Sequence, residues 1–205
     1  MSLNMDSYKT ILKSNGPQEI KVKNSKFISY TYPIKSQEDF KRVYGNLKKE
    51  YHNSTHICYA YRLLKNNEEY FIYNDDGEPS GTAGLPILNE IRRKELYFLS
   101  VFVIRYYGGI KLGTGGLIRA YSESARKVIE VANIVEREVL KELIVEFDYA
   151  NIGAVMSVIN REKLTIIKND FKGDKSLLKI QVPLNKYDNL VKSLINSLSG
   201  NINIK

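Results

Sequence analysis

The sequence predicts a mixed α+β protein of two domains. Apolar residues repeat at two-residue spacing in some segments and at three- and four-residue spacing in others, which are the periodicities of strands and helices. The predicted order of elements changes from ββαββαβα in the first part of the chain to βαββαβ in the second. A length of 205 residues with 43% hydrophobic residues is enough for two domains with separate cores. We therefore expect domains at residues 1–136 and 137–205.

The first predicted elements are four strands and one helix. The strand segments share a high content of β-branched and aromatic residues, and they are residues 20–23, 26–34, 56–64 and 69–73. Between the second and third strands, Ser36 and Asp39 have the spacing of a helix-capping box, and apolar residues recur at helical intervals from Phe40 to Leu47. Asn66-Asn67 separates the last two strands and is expected to form a two-residue hairpin turn.

A buried strand between two helices completes the first domain. Thr82 is expected to cap a helix that carries apolar residues at Leu85, Leu88 and Ile91. Residues 99–104 form a nearly unbroken apolar run, which is typical of a strand covered on both faces. Helical spacing then returns at Leu117, Ala120, Tyr121, Ser124, Val128 and Val131.

The pattern restarts near Val139 and predicts the second domain. Its strands are expected at residues 143–147, 164–168, 177–182 and 202–204. Its helices are expected at residues 152–159 and 190–198, and the second ends at Gly200. The order βαββαβ is that of a ferredoxin-like domain. RNA-recognition domains share this order, but residues 176–182 contain no Phe or Tyr, so we expect no base stacking on that strand.

A glycine-rich turn lies between the buried strand and the helix that follows it. Its glycines are Gly108, Gly109, Gly113, Gly115 and Gly116. Free amides at the start of the helix and Thr114 as its cap predict an anion site, with Arg105, Lys111 and Arg119 as cationic contacts. Phosphate is the expected anion, although the spacing matches neither the P-loop nor the dinucleotide-binding motif. The alternative is that the glycines only permit a tight turn and close helix packing.

An acidic loop, Asp75, Asp76 and Glu78, has two interpretations. It can hold Mg²⁺ or act in acid–base catalysis, provided that it faces Lys111 across a cleft. In the other interpretation the loop is a hydrogen-bonding turn that caps the following helix.

The histidines and the single cysteine lie close together in the sequence. A metal site could be formed by His52, His56 and Cys58 if the two imidazoles shared one helical face. However, His52 lies in a turn and His56 begins a predicted strand. We therefore expect no metal, no cofactor and a structural role for Cys58. Alternation places Tyr59 and Tyr61 on one face of the same strand, where they form either a tyrosine-lined core or an aromatic surface for bases.

Composition limits the partners and the compartment. The chain has 31 basic and 23 acidic residues, and its formal net charge of +8 favours a polyanionic partner. The single cysteine cannot form an intramolecular disulfide, and the N-terminus lacks the apolar core of a signal peptide. No apolar run approaches the ~20 residues of a membrane span. We expect a cytoplasmic protein without a membrane partner.

Two segments closely resemble the YigZ/IMPACT family of uncharacterised and translation-linked proteins. They are residues 75–88 (DDGEPSGTAGLPIL) and residues 103–121 (VIRYYGGIKLGTGGLIRAY). The resemblance implies that the first domain shares the superfold of a small-subunit ribosomal protein domain, elongation factor G and a group of small-molecule kinases. It also implies that the C-terminal domain is the extra domain of bacterial members, similar to the last domain of elongation factor G.

Two functions are compatible with these features. The first is a non-catalytic module that binds RNA or the ribosome through the glycine-rich basic turn and acts in translation or its regulation. The second is a nucleotide- or phosphate-dependent enzyme with a small phosphate-containing ligand in a cleft between residues 75–78 and 108–116. We favour the first because of the family resemblance, the two domains similar to those of translation factors and the moderate basicity. For the second, no nucleophile, base and orienting group can be named from the sequence.

Overall fold

The computed structural model describes residues 5–65, 68–198 and 200–204. The chain divides into two compact units, Met1–Arg137 and Glu138–Lys205. Both units contain helices and β-sheets, which confirms the α+β class. The turn predicted at Asn66-Asn67 lies outside the described residues. Within those residues, no helix is long and apolar enough to cross a membrane.

The first unit contains seven strands and three helices in its described part. The strands are β1 (Ser7–Ile11), β2 (Asn15–Val22), β3 (Ser25–Pro33), β4 (His56–Lys65), β5 (Glu68–Asn74), β6 (Leu99–Tyr106) and β7 (Ile134–Glu138), whose last residue reaches the boundary of the second unit. The helices are α1 (Gln37–Glu50), α2 (Gly84–Arg93) and α3 (Thr114–Glu130). From β2 to α3 the order is the predicted ββαββαβα.

Five of these strands form one antiparallel sheet in the order β2-β3-β6-β4-β5. Strand β6 is central and pairs with β3 on one side and β4 on the other, so that Ile104 lies between Ile28 and Ile57. It is buried from Leu99 to Arg105, as expected for a strand covered on both faces. Helices α2 and α3 contribute to one apolar cluster and α1 to another, so the sheet lies between two helical layers.

The tyrosines of β4 belong to the α1 side of this sheet. The ring centroids of Tyr59 and Tyr61 lie 4.8 Å and 4.5 Å from that of Phe40 in α1. Cys58 and Ala60 belong to the opposite cluster. The predicted alternation is confirmed, and these two tyrosines line a core.

Strands β1 and β7 are not predicted from the sequence. They pair with each other in a separate two-stranded sheet, and the Leu12 amide donates to the Asn133 carbonyl at 2.9 Å. Residues 134–138 are Ile-Val-Glu-Arg-Glu, which lack the alternation of a half-buried strand. Strand β2 begins at Asn15, whereas the apolar pattern predicts a start at Ile20. The pattern misses the first residues because they are polar, glycine or proline and carry no apolar signal.

The second unit has the predicted ferredoxin-like order. Its elements are β8 (Leu140–Asp148), α4 (Ile152–Arg161), β9 (Thr165–Lys172), β10 (Lys175–Pro183), α5 (Tyr187–Ser197) and β11 (Ile202–Ile204). The sheet order is β11-β8-β10-β9, with antiparallel neighbours. Its own apolar cluster includes Val145, Leu178 and Ile180 of the sheet and Val155 and Leu194 of the helices.

Candidate functional site

Of the predicted glycine-rich turn, residues 107–113 connect β6 to α3, and the last two glycines, Gly115 and Gly116, belong to α3 itself. A Cβ built on Gly108 would lie 2.0 Å from the carbonyl carbon of Asn24 in the β2–β3 hairpin, so only glycine fits there. The Gly108 amide also donates to Ser25 Oγ at 3.3 Å. Gly109 and Gly113 have φ values of 82° and 71°, in the left-handed region that favours glycine. At these three positions the fold itself accounts for glycine, in agreement with the packing interpretation.

Gly115 and Gly116 differ from these three because they lie in the first turn of α3. A Cβ on Gly115 would make only an ordinary contact of 3.5 Å with Nη1 of Arg119, whereas one on Gly116 would lie 3.0 Å from Cβ of Leu112. Within a helix, alanine is more favourable than glycine by up to ~1 kcal/mol of helix stability. The fold therefore does not require glycine at 115. The absence of a side chain at Gly115 leaves the amides in the first turn of α3 uncovered.

The N-terminus of α3 has no side-chain cap. The N-cap residue is Gly113, whose φ is positive, and Thr114 is the first residue of the helix. The prediction that Thr114 caps the helix is therefore wrong. The first turn contains no acidic residue, and residues 113–115 are exposed. The partial positive charge of the helix end therefore faces solvent without an acidic neighbour in the turn.

Three cationic side chains belong to this region: Lys23, Lys111 and Arg119. Lys111 and Arg119 are exposed, and neither has an acidic partner in the part of the chain that is described. Nζ of Lys23, in the β2–β3 turn, donates to the Lys111 carbonyl at 3.2 Å. Sequence reasoning missed Lys23, because only strand pairing brings this distant hairpin against the glycine turn.

A groove of about 600 Å³ lies beside the first turns of α3. Its apolar lining includes Val22, Leu112 and Ile118. Its charged lining includes Lys23, Arg119, Glu123 and Arg126, and Arg126 forms ion pairs with Glu123 and Glu130. The groove thus combines an apolar surface with cationic side chains.

Arg105 is buried and is not one of the exposed cations. Its Nη1 donates to Oε1 of Glu78 at 2.6 Å, and its Nη2 donates to Ser25 Oγ at 3.2 Å. The Tyr121 hydroxyl donates to the same Oε1 at 2.7 Å, and burial, reinforced by Cys58 and Glu78, raises the pKa of Tyr121 well above its ordinary value. These contacts join the acidic loop, β6 and α3 inside the protein. They give Arg105 a structural role in place of the ligand contact expected from the sequence.

Asp75 organises the start of α2. Its carboxylate accepts hydrogen bonds of 2.8–2.9 Å from the amides of three later residues, Gly81, Ala83 and Gly84. The prediction that Thr82 caps this helix is wrong, because the N-cap residue is Ala83 and the Thr82 hydroxyl donates to the Pro79 carbonyl instead. A carboxylate from the preceding loop therefore satisfies the helix amides, which favours the capping interpretation of the acidic loop.

Asp76, His56 and Cys58 are also held by internal contacts. Asp76 Oδ2 accepts from the Ile57 amide at 2.6 Å, and its carbonyl accepts from His56 Nδ1 at 2.7 Å. Burial raises the pKa of the Cys58 thiol above its ordinary value, which disfavours the reactive thiolate. Among the described residues, no group of three or more His, Cys, Asp or Glu side chains is arranged to hold a metal ion.

Known proteins resemble this chain, and the matched family domain includes both segments, residues 75–88 and 103–121. Residues 23–129 match the Impact N-terminal domain family. The IMPACT family member YvyE of Bacillus subtilis is 36% identical over 164 residues, which cover 80% of this chain and 74% of that protein. An IMPACT family member of Haemophilus influenzae is 35% identical over 164 residues, covering 78% of each chain. The IMPACT family member YigZ of Escherichia coli is 26% identical over 89% of this chain and 90% of its own length.

A solved structure supports the same relationship. The crystal structure of a hypothetical protein matches with a TM-score of 0.76 and 25% identity, over 98% of this chain and 97% of that chain. The likeness therefore extends through both units. Taken with the matched domain and the bacterial relatives, it establishes that the chain belongs to the IMPACT family.

Proposed function

We propose that this protein is a non-catalytic module that binds polyanions, associates with RNA or the ribosome, and acts in translation or its regulation. The observation that carries the proposal is the uncapped end of α3, beside the exposed side chains of Lys111 and Arg119, which have no acidic partner among the described residues. Free amides and cations at a helix N-terminus suit the charge and the acceptor oxygens of a phosphate group. The link to translation comes from the family resemblance.

The net charge of +8 supports a ligand with several phosphates. A polyanion releases condensed counterions when cations of a protein replace them, so even a modest basic surface gains affinity at low salt. Lys23 extends the cationic surface from the helix end to the β2–β3 turn. A nucleic-acid backbone offers repeated phosphates to such a surface.

The enzyme alternative has less support. A metal-assisted phosphoryl transfer needs carboxylates that are free to hold a metal near the phosphate. Asp76 and Glu78 instead accept hydrogen bonds from Ile57, Arg105 and Tyr121 inside the protein. We therefore propose no reaction for the acidic loop.

Co-sedimentation with ribosomes and with total cellular RNA, across a salt series, tests the proposed function. We expect saturable association that weakens steeply as salt rises. Lys111→Ala/Arg119→Ala should weaken it strongly. Lys41→Ala/Lys49→Ala is the matched control, because it removes the same charge from exposed positions of α1 on the other side of the sheet. Failure to associate at low salt, or equal losses in the two double variants, would contradict the proposal.

A further inference from the structure

We propose that this site selects unpaired nucleotides of a single-stranded nucleic acid, and that Tyr107 is the platform on which a base stacks. The inference rests on the proposed function and names the class of ligand that the same surface prefers. It depends on the position of Tyr107 at the glycine turn, on the support beneath its ring, and on the exposed apolar and cationic side chains of the same turn and of the start of α3.

Tyr107 is the first residue of the glycine-rich turn, and it is 44% exposed. Its amide donates to Thr55 Oγ1 at 2.9 Å, which ties the backbone of the turn to the segment before β4. The guanidinium carbon of Arg105 lies over the ring, 5.3 Å from its centroid. One ring face is therefore covered by a buried cation, while the residue as a whole remains exposed.

The support beneath Tyr107 is fixed. The guanidinium carbon of Arg105 also lies over the ring of Phe27, 5.4 Å from its centroid, so it contacts two aromatic rings. Glu78 and Ser25 bind it through Nη1 and Nη2. A ring on such a support loses little conformational freedom when a ligand stacks on it, which favours binding.

Exposed apolar side chains also occur in the same turn and at the start of α3. Ile110, in the turn, is 44% exposed, and Ile118, in the second turn of α3, is 42% exposed. Ile118 and Leu112 also line the groove that contains Lys23 and Arg119. Apolar and cationic groups therefore occupy one region of the first unit.

A duplex and a single strand use such a surface differently. In a duplex the bases are stacked on each other, and the protein meets mainly phosphates, sugars and base edges. An unpaired nucleotide offers the face of its base to an aromatic ring and its phosphate to nearby cations and amides. The combination of Tyr107 with Lys111 and Arg119 thus fits a single strand better than a duplex.

Fluorescence anisotropy with a short labelled oligonucleotide tests this inference on the full chain. The probes are a single-stranded RNA, the single-stranded DNA of the same sequence, and the RNA annealed to its complement. We expect the single strands to bind more tightly than the duplex, and the RNA and DNA arms show whether the sugar matters. Tyr107→Leu should weaken single-strand binding by about 5- to 150-fold, the loss of one stacked base, and should leave duplex binding unchanged.

Two variants make the test specific. Tyr73→Leu is the matched control, since Tyr73 is 40% exposed on the edge strand β5 and its loss should leave both affinities unchanged. Tyr107→Phe keeps the ring and should keep the preference for single strands. Unchanged thermal midpoints would show that the variants are folded.

The outcomes separate this inference from the proposed function. Equal affinity for single strands and duplex, or a Tyr107→Leu variant that binds like the parent chain, overturns the stacking role. If binding is still salt-sensitive and lost in Lys111→Ala/Arg119→Ala, the proposed function stands without it. If no probe binds at low salt but the chain still co-sediments with ribosomes, only the stacking inference is overturned; if neither binds, both are overturned.

Discussion

Glu78 and Arg105 form a buried ion pair that connects the acidic loop to β6. Their side chains are 4% and 5% exposed, and Nη1 of Arg105 lies 2.6 Å from Oε1 of Glu78. Charges that are withdrawn from water in this way depend on each other, because removing one leaves the other without a counter-charge. The pair also fixes the guanidinium beneath Tyr107, so it links stability to the surface that we propose for binding.

We predict that Glu78→Gln destabilises the protein by about 3 kcal/mol or more, because it keeps the size of the side chain but leaves Arg105 buried without its counter-charge. Urea unfolding measures this loss. Glu123→Gln, which breaks a half-exposed pair with Arg126, is the control and should cost less than about 1 kcal/mol. Similar losses in the two variants would contradict the role of the buried pair.

Sequence patterns alone did not distinguish Arg105 from Arg119. Both are arginines near the same glycines, and both were expected to contact an anion. Their difference comes from position in the fold, because Arg105 is the penultimate residue of the central strand, paired with Phe27 on one side and His56 on the other. Arg119 lies on the exposed side of α3. Burial at the end of a strand depends on its neighbours, which local spacing does not reveal.

The first turn of α3 separates glycines that the fold requires from a glycine that it does not. Gly108 is packed against the backbone of Asn24, whereas Gly115 has helical backbone and room for a Cβ. Helix propensity favours alanine at such a position. A side chain there would also lie near Arg119 and beside the uncapped amides.

We predict opposite effects for alanine at these two glycines. Gly108→Ala should destabilise the protein by about 1–3 kcal/mol, because the new methyl group overlaps the backbone of the hairpin. Gly115→Ala should leave stability unchanged or raise it by up to ~1 kcal/mol, and should weaken RNA binding. Thermal unfolding and the anisotropy assay measure the two effects. Parent-like affinity in Gly115→Ala would show that the amides of this turn do not contact the ligand.

Glu69 connects three elements, since it lies on β5 and accepts hydrogen bonds from Arg62 of β4 at 2.7 Å and Arg92 of α2 at 2.9 Å. Burial alone would raise the pKa of this carboxyl, but the two arginines outweigh it and hold the pKa below the ordinary 4.5. A carboxylate with a lowered pKa stabilises the fold above its unfolded pKa. That contribution is lost as the pH falls through its folded pKa.

We predict that Glu69→Gln lowers the free energy of unfolding at neutral pH and has a smaller effect in acid. The difference between the parent and the variant should shrink as the pH falls below 4.5, the ordinary pKa of the group. Urea unfolding at a series of pH values measures it. A difference that is constant with pH would rule out a contribution from the ionised carboxylate.

Elements with a periodic apolar pattern were predicted well, and elements without one were not. The central strand β6 and helix α3 have strong patterns, and both were identified near their observed bounds. Strands β1 and β7 depend on pairing between the two ends of the first unit. The predicted caps at Thr82 and Thr114 were wrong because local spacing does not show what begins a helix. The Asp75 carboxylate binds the first amides of α2, and the conformation of Gly113 sets the start of α3.

The whole molecule consists of two units, each with its own core. The apolar clusters of the first unit include Phe27, Phe102 and Tyr121, and the cluster of the second includes Val145 and Leu194. At this scale the order of elements was sufficient to predict both units, because periodicity restarts near Val139. The glycine turn was also found from sequence, whereas the contributions of Lys23 and the support beneath Tyr107 required the packing of distant segments.

We predict that residues 138–205 fold without the rest of the chain, because their apolar cluster is assembled within that unit. The fragment should show a cooperative thermal transition by circular dichroism. A gradual loss of signal, with no transition, would mean that this unit depends on the first.

The most direct test of the proposed binding surface is the salt dependence of affinity for single-stranded RNA. The logarithm of the affinity should fall linearly with the logarithm of salt concentration in the parent chain. In Lys111→Ala/Arg119→Ala the slope should become shallower by about 1.4, which corresponds to two lost phosphate contacts. Lys41→Ala/Lys49→Ala should keep the parent slope. No binding by the parent chain, or the same slope in all three proteins, would contradict the assignment of this surface.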